Sequence, residues 1–195
     1  MSTNLCSPHN SLGGEHEAHD QYSLYKERNM TMLSKQLQEA INEQIKVEIS
    51  SAYGYLSMSA YLESVSMSGI AHWMRVQHQE EISHALKFFD YVHERGGRVV
   101  LEAIDRPLGD FKSVRDVFQH VAENERKVTM MINKVYEMAL KDNDYAAQVE
   151  LQWFIKEQVE EEKSVATILD QIALVGDQGV PLLMLDRQLG ARSPK

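Results

Sequence analysis

The feature that most constrains the fold is the length of the stretches in which apolar residues recur every three or four positions. The chain of 195 residues holds only four prolines and ten glycines. Such periodicity places the apolar side chains on one face of a helix, and few prolines and glycines favour long helices over a sheet with many turns. We therefore expect helices over residues 33–65, 70–94, 113–141 and 145–174, and a short fifth helical segment over residues 182–189.

The expected connections are short, long and short. Residues 66–69 and 142–144 are turns, whereas residues 96–112 include the run Arg106-Pro107-Leu108-Gly109, which forbids a long helix. Helices of nearly 30 residues are about twice the usual length and need packing along their sides. The pattern predicts an all-α four-helix bundle, made of two antiparallel hairpins with a long crossover between helices two and three.

Residues 1–30 differ from the rest because they are rich in Ser, Asn, Gly, Glu and His and show no apolar period. We expect a flexible N-terminal arm there, and a bundle domain over residues 31–195. Cys6 is the single cysteine, so an internal disulfide is excluded and a reducing compartment is compatible.

The formal charge of −9 makes the chain a poor binder of nucleic acid and a better partner for cations. No stretch approaches the ~18 apolar residues of a membrane span, and the N-terminus lacks the basic and then apolar layout of a secretory signal. These features predict a cytoplasmic protein that binds neither nucleic acid nor membrane.

Acidic residues stand on helix faces that are otherwise apolar, one near the middle of each long helix. The set is Glu48 in the first helix, Glu81 and His84 as Glu-x-x-His in the second, Glu125 in the third, and Gln158 and Glu161 as Gln-x-x-Glu in the fourth. Bundle di-iron sites take a Glu from each of two helices and a Glu-x-x-His pair from the other two. Two carboxylates about 4 Å apart repel by roughly 4 kcal/mol at an effective dielectric of 20. Buried together, these acids predict a pair of bound metal ions.

At these residues the chain, from about residue 32 to 189, resembles bacterial non-haem ferritins. The resemblance is carried by residues 42–48 with Tyr55, by residues 79–84, and by residues 151–154 followed by 157–163. It implies a ferritin-like bundle with a short fifth C-terminal helix. It also implies iron storage with ferroxidase activity, in which Fe(II) is oxidised by dioxygen or hydrogen peroxide at a di-iron centre and the ferric mineral is stored in an oligomeric shell.

The resemblance also implies a role for each matching residue. Glu48, Glu81 and His84 would bind the first iron, with Glu81 bridging to the second; Glu125 and Glu161 would hold the second iron, with Gln158 beside it. Tyr55 would hydrogen-bond near the site and serve as a nearby reductant. An additional iron site would be formed by Glu80, Glu157 and Glu160 together with Glu161.

Comparison with related groups predicts the cofactor and the assembly. Bacterioferritins, which the chain also resembles, carry Glu-x-x-His in the last long helix and a haem-binding methionine after the bridging Glu. This chain has Glu161-Glu162-Lys163 and Ile82 at those places, so no haem is expected. The segment after Gly179 resembles the fifth helix of twenty-four-subunit ferritin shells, which favours a homo-oligomeric cage of that size.

Two other functions remain open from the sequence. The first is a di-iron oxidase or peroxidase that does not store iron, although the cysteine-rich iron domain of rubrerythrin-like enzymes cannot be built with Cys6 alone. The second is a structural helical bundle whose acids face water. Substitution of Glu81 separates them, because only a metal site loses oxidation.

Overall fold

The computed structural model describes residues 32–193, which form five helices and no strand. The helices are α1 (Lys35–Ser64), α2 (Ser68–Glu94), α3 (Val114–Lys141), α4 (Tyr145–Val175) and α5 (Val180–Leu189). The predicted all-α bundle with a short C-terminal helix is confirmed, with helix ends within a few residues of those expected. The predicted arm at residues 1–30 lies outside the described residues.

Side-chain caps fix where three of the long helices begin. The hydroxyl of Ser34 accepts from the backbone N–H of Leu37 at 3.1 Å, and Ser113 caps α3 in the same way. The Asp144 carboxylate accepts from the N–H of Ala147 at 3.0 Å. These contacts satisfy N–H groups that a helix start leaves unpaired, so the boundaries follow from short polar residues placed just before apolar periods.

Contacts between neighbouring helices show that each hairpin is antiparallel. In the first hairpin the Ser59 hydroxyl donates to the carbonyl of Ala71 at 2.9 Å, while Ala52, two turns earlier, contacts His78, two turns later. In the second hairpin the Gln148 amide donates to the carbonyl of Ala139 at 3.3 Å. In the first hairpin, residues later in α1 thus contact residues earlier in α2, so the two helices run in opposite directions.

The long crossover between α2 and α3 runs alongside α1. Asn42 exchanges hydrogen bonds with its backbone, donating to the carbonyl of Arg98 at 3.1 Å and accepting from the N–H of Val100 at 3.2 Å. Further along, the Ser57 hydroxyl donates to the carbonyl of Leu108 at 2.8 Å. Side chains of α1 therefore satisfy the backbone of a segment that has no regular structure of its own.

The start of α2 and the end of α5 approach each other closely. The Asp186 carboxylate of α5 accepts from the N–H of Ile70 at 2.8 Å. A Cβ on Gly69 would lie 1.9 Å from the carbonyl oxygen of Asp186, so this contact requires glycine. The short helix is thereby fixed against the first turn of α2.

The apolar core is divided into two clusters. One cluster includes Leu62, Trp73, Phe118 and Ile168 and extends to α5, and the other includes Ile41, Phe88, Ile132 and Phe154. Buried polar residues lie between the clusters on all four long helices. We call them the polar layer: Gln44, Glu48, Gln77, Glu80, Glu81, His84, Glu125, Gln158 and Glu161.

Some apolar residues that fit the helical periods are exposed. Leu86 and Val159 are 54% and 66% exposed, respectively. On α2 the buried positions beside Leu86 are Ala85 and Phe88. Periodicity alone does not tell which of two adjacent apolar stripes on one helix is buried.

No helix among the described residues has a run that is apolar and long enough to span a bilayer.

Candidate metal centre

Four carboxyl groups of the polar layer are almost completely buried. Glu48 and Glu125 are 0% exposed, Glu81 is 1% exposed and Glu161 is 2% exposed. Each comes from a different long helix, and each takes the inward position that its helix would otherwise give to an apolar side chain. An acid at such a position requires a proton, a hydrogen-bond donor or a cation.

One part of the site is formed by Glu48, Glu81 and His84, whose ligand atoms all lie within 4.8 Å of one another. The Nδ1 atom of His84 is 3.6 Å from a carboxylate oxygen of Glu81. The i, i+3 spacing on α2 places these two side chains on one face of the helix. Carboxylate oxygens of Glu48 and Glu81 and a ring nitrogen of His84, from α1 and α2, thus lie close enough together to bind one metal ion.

Three buried side-chain oxygens of the polar layer have no hydrogen-bond partner within residues 32–193. They are Oε2 of Glu48 and the amide oxygens of Gln44 and Gln77. The other Glu48 oxygen accepts from the Gln44 amide at 2.8 Å. Because buried acceptors are normally satisfied, an orphaned carboxylate oxygen beside a histidine nitrogen fits a bound cation.

The second part of the site surrounds Glu125, which accepts hydrogen bonds from three residues. The Tyr55 hydroxyl donates to it, the Gln158 amide donates to Oε2 at 3.2 Å, and the Asn124 amide donates at 3.4 Å. Glu161 accepts from the Gln77 amide at 3.0 Å. These neutral donors hold both carboxyl groups in place without cancelling their charge.

Burial raises the pKa of all four acids above the ordinary value for glutamate. For Glu48 and Glu81 the pKa is raised well above it, with desolvation as the main cause and neighbouring carboxylates adding to it. The pKa of Glu125 is raised less, because Tyr55 and Gln158 stabilise its charged form. Burial and the nearby acids also raise the pKa of the Tyr55 hydroxyl. A divalent cation would reverse these shifts in the acids.

Aromatic rings close the histidine side of the site. The His84 ring makes edge contacts with Trp153 and Phe154 at centroid distances of 5.4 and 6.2 Å. Phe154 is stacked on Phe88 at 3.7 Å. The His84 ring is therefore held by packing, and it is only 6% exposed.

The acids predicted for the additional site differ in burial. Glu80 is buried and pairs with Arg192, at 2.5 Å between the carboxylate oxygen and Nη2. Glu157 is half-buried and Glu160 is exposed. Glu160 lines a cavity of about 710 Å³ together with Trp73 and Arg192. The Glu80 carboxylate is thus already paired with the positive charge of Arg192. The sequence did not predict this ion pair.

Sequence reasoning also missed the amides that support the carboxyl groups. Gln44 precedes Glu48 by four residues and Gln77 precedes Glu81 by four, so both share an inward face with the acid that follows. That spacing was a usable signal. Asn124 adjoins Glu125 in sequence and carried no comparable pattern, since its neighbour Ser51, at 3.0 Å, lies on another helix.

Comparisons with known proteins agree on one family. The model of the ferritin-like domain matches residues 38–175. The chain is 43% identical over 161 residues to the bacterial non-heme ferritin of Bacteroides fragilis, covering 83% of this chain and 100% of that protein. It is 38% identical over 162 residues to the Staphylococcus epidermidis protein of the same name, covering 83% and 98%. The open pore ferritin of Archaeoglobus fulgidus superposes with a TM-score of 0.81 at 46% identity, covering 83% of this chain and 99% of that one.

Proposed function

The chain belongs to the ferritin family of iron-storage proteins, and from this premise we propose that it oxidises Fe(II) at a di-iron site in the polar layer. The oxidant is dioxygen or hydrogen peroxide, and the ferric product is stored as mineral inside an oligomeric shell. The observation that carries the proposal is the set of four buried carboxyl groups, one from each long helix, two of which, Glu48 and Glu81, are grouped with His84.

Each residue has a role in binding the iron substrate. Glu48 and His84 bind one Fe(II), Glu125 and Glu161 bind the other, and Glu81 bridges them. Carboxylate oxygen and imidazole nitrogen are suitable ligands for Fe(II). Because the acids are drawn from four helices, the protein holds the two ions close together while leaving coordination positions for the oxidant.

The donors around Glu125 keep the second half of the site in position before iron arrives. The Gln158 amide contacts the Glu125 carboxylate and its backbone carbonyl, both at 3.2 Å. Tyr55 donates its hydroxyl proton to the same carboxylate. If Tyr55 gives an electron to the oxidised centre, Glu125 is placed to accept the proton that the phenol then loses.

The electron balance sets the expected stoichiometry. Two Fe(II) ions give two electrons, which reduce dioxygen to hydrogen peroxide or hydrogen peroxide to water. The protons come from solvent and from the carboxyl groups that metal binding has deprotonated. The additional site, formed by Glu80, Glu157 and Glu160 together with Glu161, receives a third iron, and haem takes no part.

We propose a homo-oligomer of twenty-four subunits in the cytoplasm. We expect subunit contacts in the shell to cover some of the large apolar side chains that are exposed on the isolated subunit. These side chains occur on every helix and on the crossover, and include Leu56, Leu86, Val100, Leu101, Met130, Leu174, Leu183 and Met184. Nucleic acid is not a partner, because the chain carries a formal charge of −9.

The test is iron retention by the purified apo-protein. Excess Fe(II) is added in air, the sample is desalted, and iron per subunit is measured in the high-mass fraction. Retention far above the two or three ions that the ligand sites can hold supports storage. In Glu81→Gln we expect oxidation and retention to fall sharply, whereas Glu39→Gln, an exposed acid on α1, leaves both unchanged.

The alternative is a di-iron oxidase that does not store iron. It predicts rapid oxidation in the same experiment with only two or three ions retained per subunit. A protein that neither oxidises nor retains iron would refute both functions and leave a structural bundle.

A further inference from the structure

The segment that follows α5 places a cationic side chain against the polar layer. The guanidinium of Arg192 donates to Glu80 at 2.5 Å and lies over the Trp73 ring at 4.7 Å from its centroid. The carbonyl of the same residue is 3.0 Å from Nε2 of His72. The ion pair is largely enclosed, with side-chain exposures of 19% for Arg192 and 9% for Glu80.

The hydrogen bonding of the guanidinium is incomplete. Within residues 32–193, its buried Nη1 atom has no hydrogen-bond partner. A buried donor without an acceptor lowers the stability of the arrangement that contains it. The position of Arg192 is therefore determined chiefly by Glu80 and Trp73, and the side chain is less firmly held than a fully bonded arginine.

The positive charge of Arg192 affects Glu161 in the same direction as the charge of a metal ion bound at Glu80 would. Burial is the main cause of the raised pKa of Glu161; the neighbouring carboxylates of Glu125 and Glu80 raise it further, and the positive charge of Arg192 opposes them. A cation bound at Glu80 would have the same sign of effect on Glu161. The guanidinium and a metal ion thus meet the same electrostatic need and use the same carboxylate.

We propose that Arg192 is a resident cation on Glu80 that is displaced when a metal ion binds there. This inference rests on the proposed function, because it concerns the additional iron site. A metal–oxygen bond needs the carboxylate lone pairs at about 2 Å, and the guanidinium already covers one Glu80 oxygen. Two positive charges on one carboxylate also repel each other. Docking of Arg192 and occupation of the additional site therefore exclude each other.

The surroundings allow the displacement without unfolding a helix. Arg192 lies beyond the last residue of α5, Leu189, and its side chain borders the cavity of about 710 Å³ that Glu160 also lines. The guanidinium can move into this space toward solvent. By reciprocity, a metal ion that releases the segment must bind more weakly than it would to a site without Arg192.

The experiment is equilibrium dialysis of Zn²⁺, a redox-inert divalent ion, into the intact apo-oligomer. The variants are Arg192→Gln and, as a matched control, Arg187→Gln, which removes the same charge from an exposed position of α5. We expect the two ions of the paired site to bind alike in all three proteins. The third ion should bind roughly tenfold more tightly to Arg192→Gln, within the usual range of coupling between sites.

Hydrogen exchange provides a readout independent of affinity. Amide protons of residues 190–193 should exchange faster in the wild type once the third Zn²⁺ binds, and in Glu80→Gln they should exchange fast without it. An unchanged or weaker third affinity in Arg192→Gln would overturn this inference while the paired site still fills. Absence of any Zn²⁺ binding in all variants would overturn the proposed function as well.

Discussion

Replacing Glu81 by glutamine should stabilise the apo-protein while weakening its response to metal. Glu81 is 1% exposed, and its pKa is raised well above the ordinary value by burial and by Glu125 and Glu161. Glutamine keeps the size of the side chain and removes the charge. Since the free carboxyl group must be either ionised against its neighbours or protonated at neutral pH, its removal relieves an unfavourable free energy.

The protonation equilibrium sets an upper limit on this gain. Holding a proton at pH 7 on a group with an unfolded pKa of about 4.3 costs about 4 kcal/mol at most, at 1.36 kcal/mol per pKa unit. The glutamine amide is itself a buried polar group that needs hydrogen-bond partners, which offsets part of this gain. We expect a gain of about 2 kcal/mol, which corresponds to about 4–8 °C in Tm for a chain of this size.

Differential scanning calorimetry of the apo-protein at a fixed scan rate measures the shift. Added Zn²⁺ should raise the Tm of the wild type much more than that of Glu81→Gln, which keeps only the additional site intact. The matched control is Glu39→Gln, whose exposed carboxylate should alter stability by no more than about 0.5 kcal/mol. An apo Glu81→Gln protein that melts at or below the wild-type temperature would show that burial of this carboxyl group is not unfavourable.

Three further outcomes follow from the same geometry. The pKa values of Glu48 and Glu81 are raised in the folded state. Their contribution to apo stability should therefore be fully present below about pH 4.3 and lost as the pH rises through the raised values. Urea titrations at several pH values measure this loss of stability, which Zn²⁺ should reduce. Tyr55→Phe removes a donor to a buried carboxylate and should lower the free energy of unfolding by about 1.5–3 kcal/mol, as denaturant curves can check; no change would mean that the hydrogen bond contributes nothing. Gly69→Ala places a Cβ 1.9 Å from the Asp186 carbonyl and should speed amide exchange in α5 at a cost of about 1–3 kcal/mol, whereas Gly109→Ala, with open space around it, should change neither.

Helix positions and buried acids were predictable because both depend on short-range periodicity. A stripe such as Ile41, Ile45 and Glu48 specifies one inward face, and an acid in that stripe must be buried if the stripe is. The same reasoning could not rank two apolar stripes on one helix. Leu86 belongs to the same apolar period of α2 as Ile82 and Phe89, yet it is exposed, whereas Phe88 is fully buried.

Contacts between residues far apart in sequence were not predictable. Arg192 and Glu80 are 112 positions apart, and the period of α5 carries no information about a side chain beyond its last turn. The donors to Glu125 come from α1, α3 and α4, so their convergence depends on helix packing. Sequence spacing identified the acids of the site together with Gln158, and the resemblance added Tyr55. That both of these side chains donate to Glu125 became visible only once the helices were placed together.

The division of the apolar core by the polar layer has a consequence for the lengths of the helices. A bundle whose middle turns are occupied by acids obtains little hydrophobic stabilisation there, so its two ends must each supply a separate apolar cluster. Every long helix must therefore extend several turns beyond the layer in both directions. A shortened bundle would retain the metal ligands of the polar layer. It would lose one of the two apolar clusters that hold the helices in the alignment that brings these ligands together. The 27 to 31 residues of each long helix are thus a requirement of the site as well as of the fold.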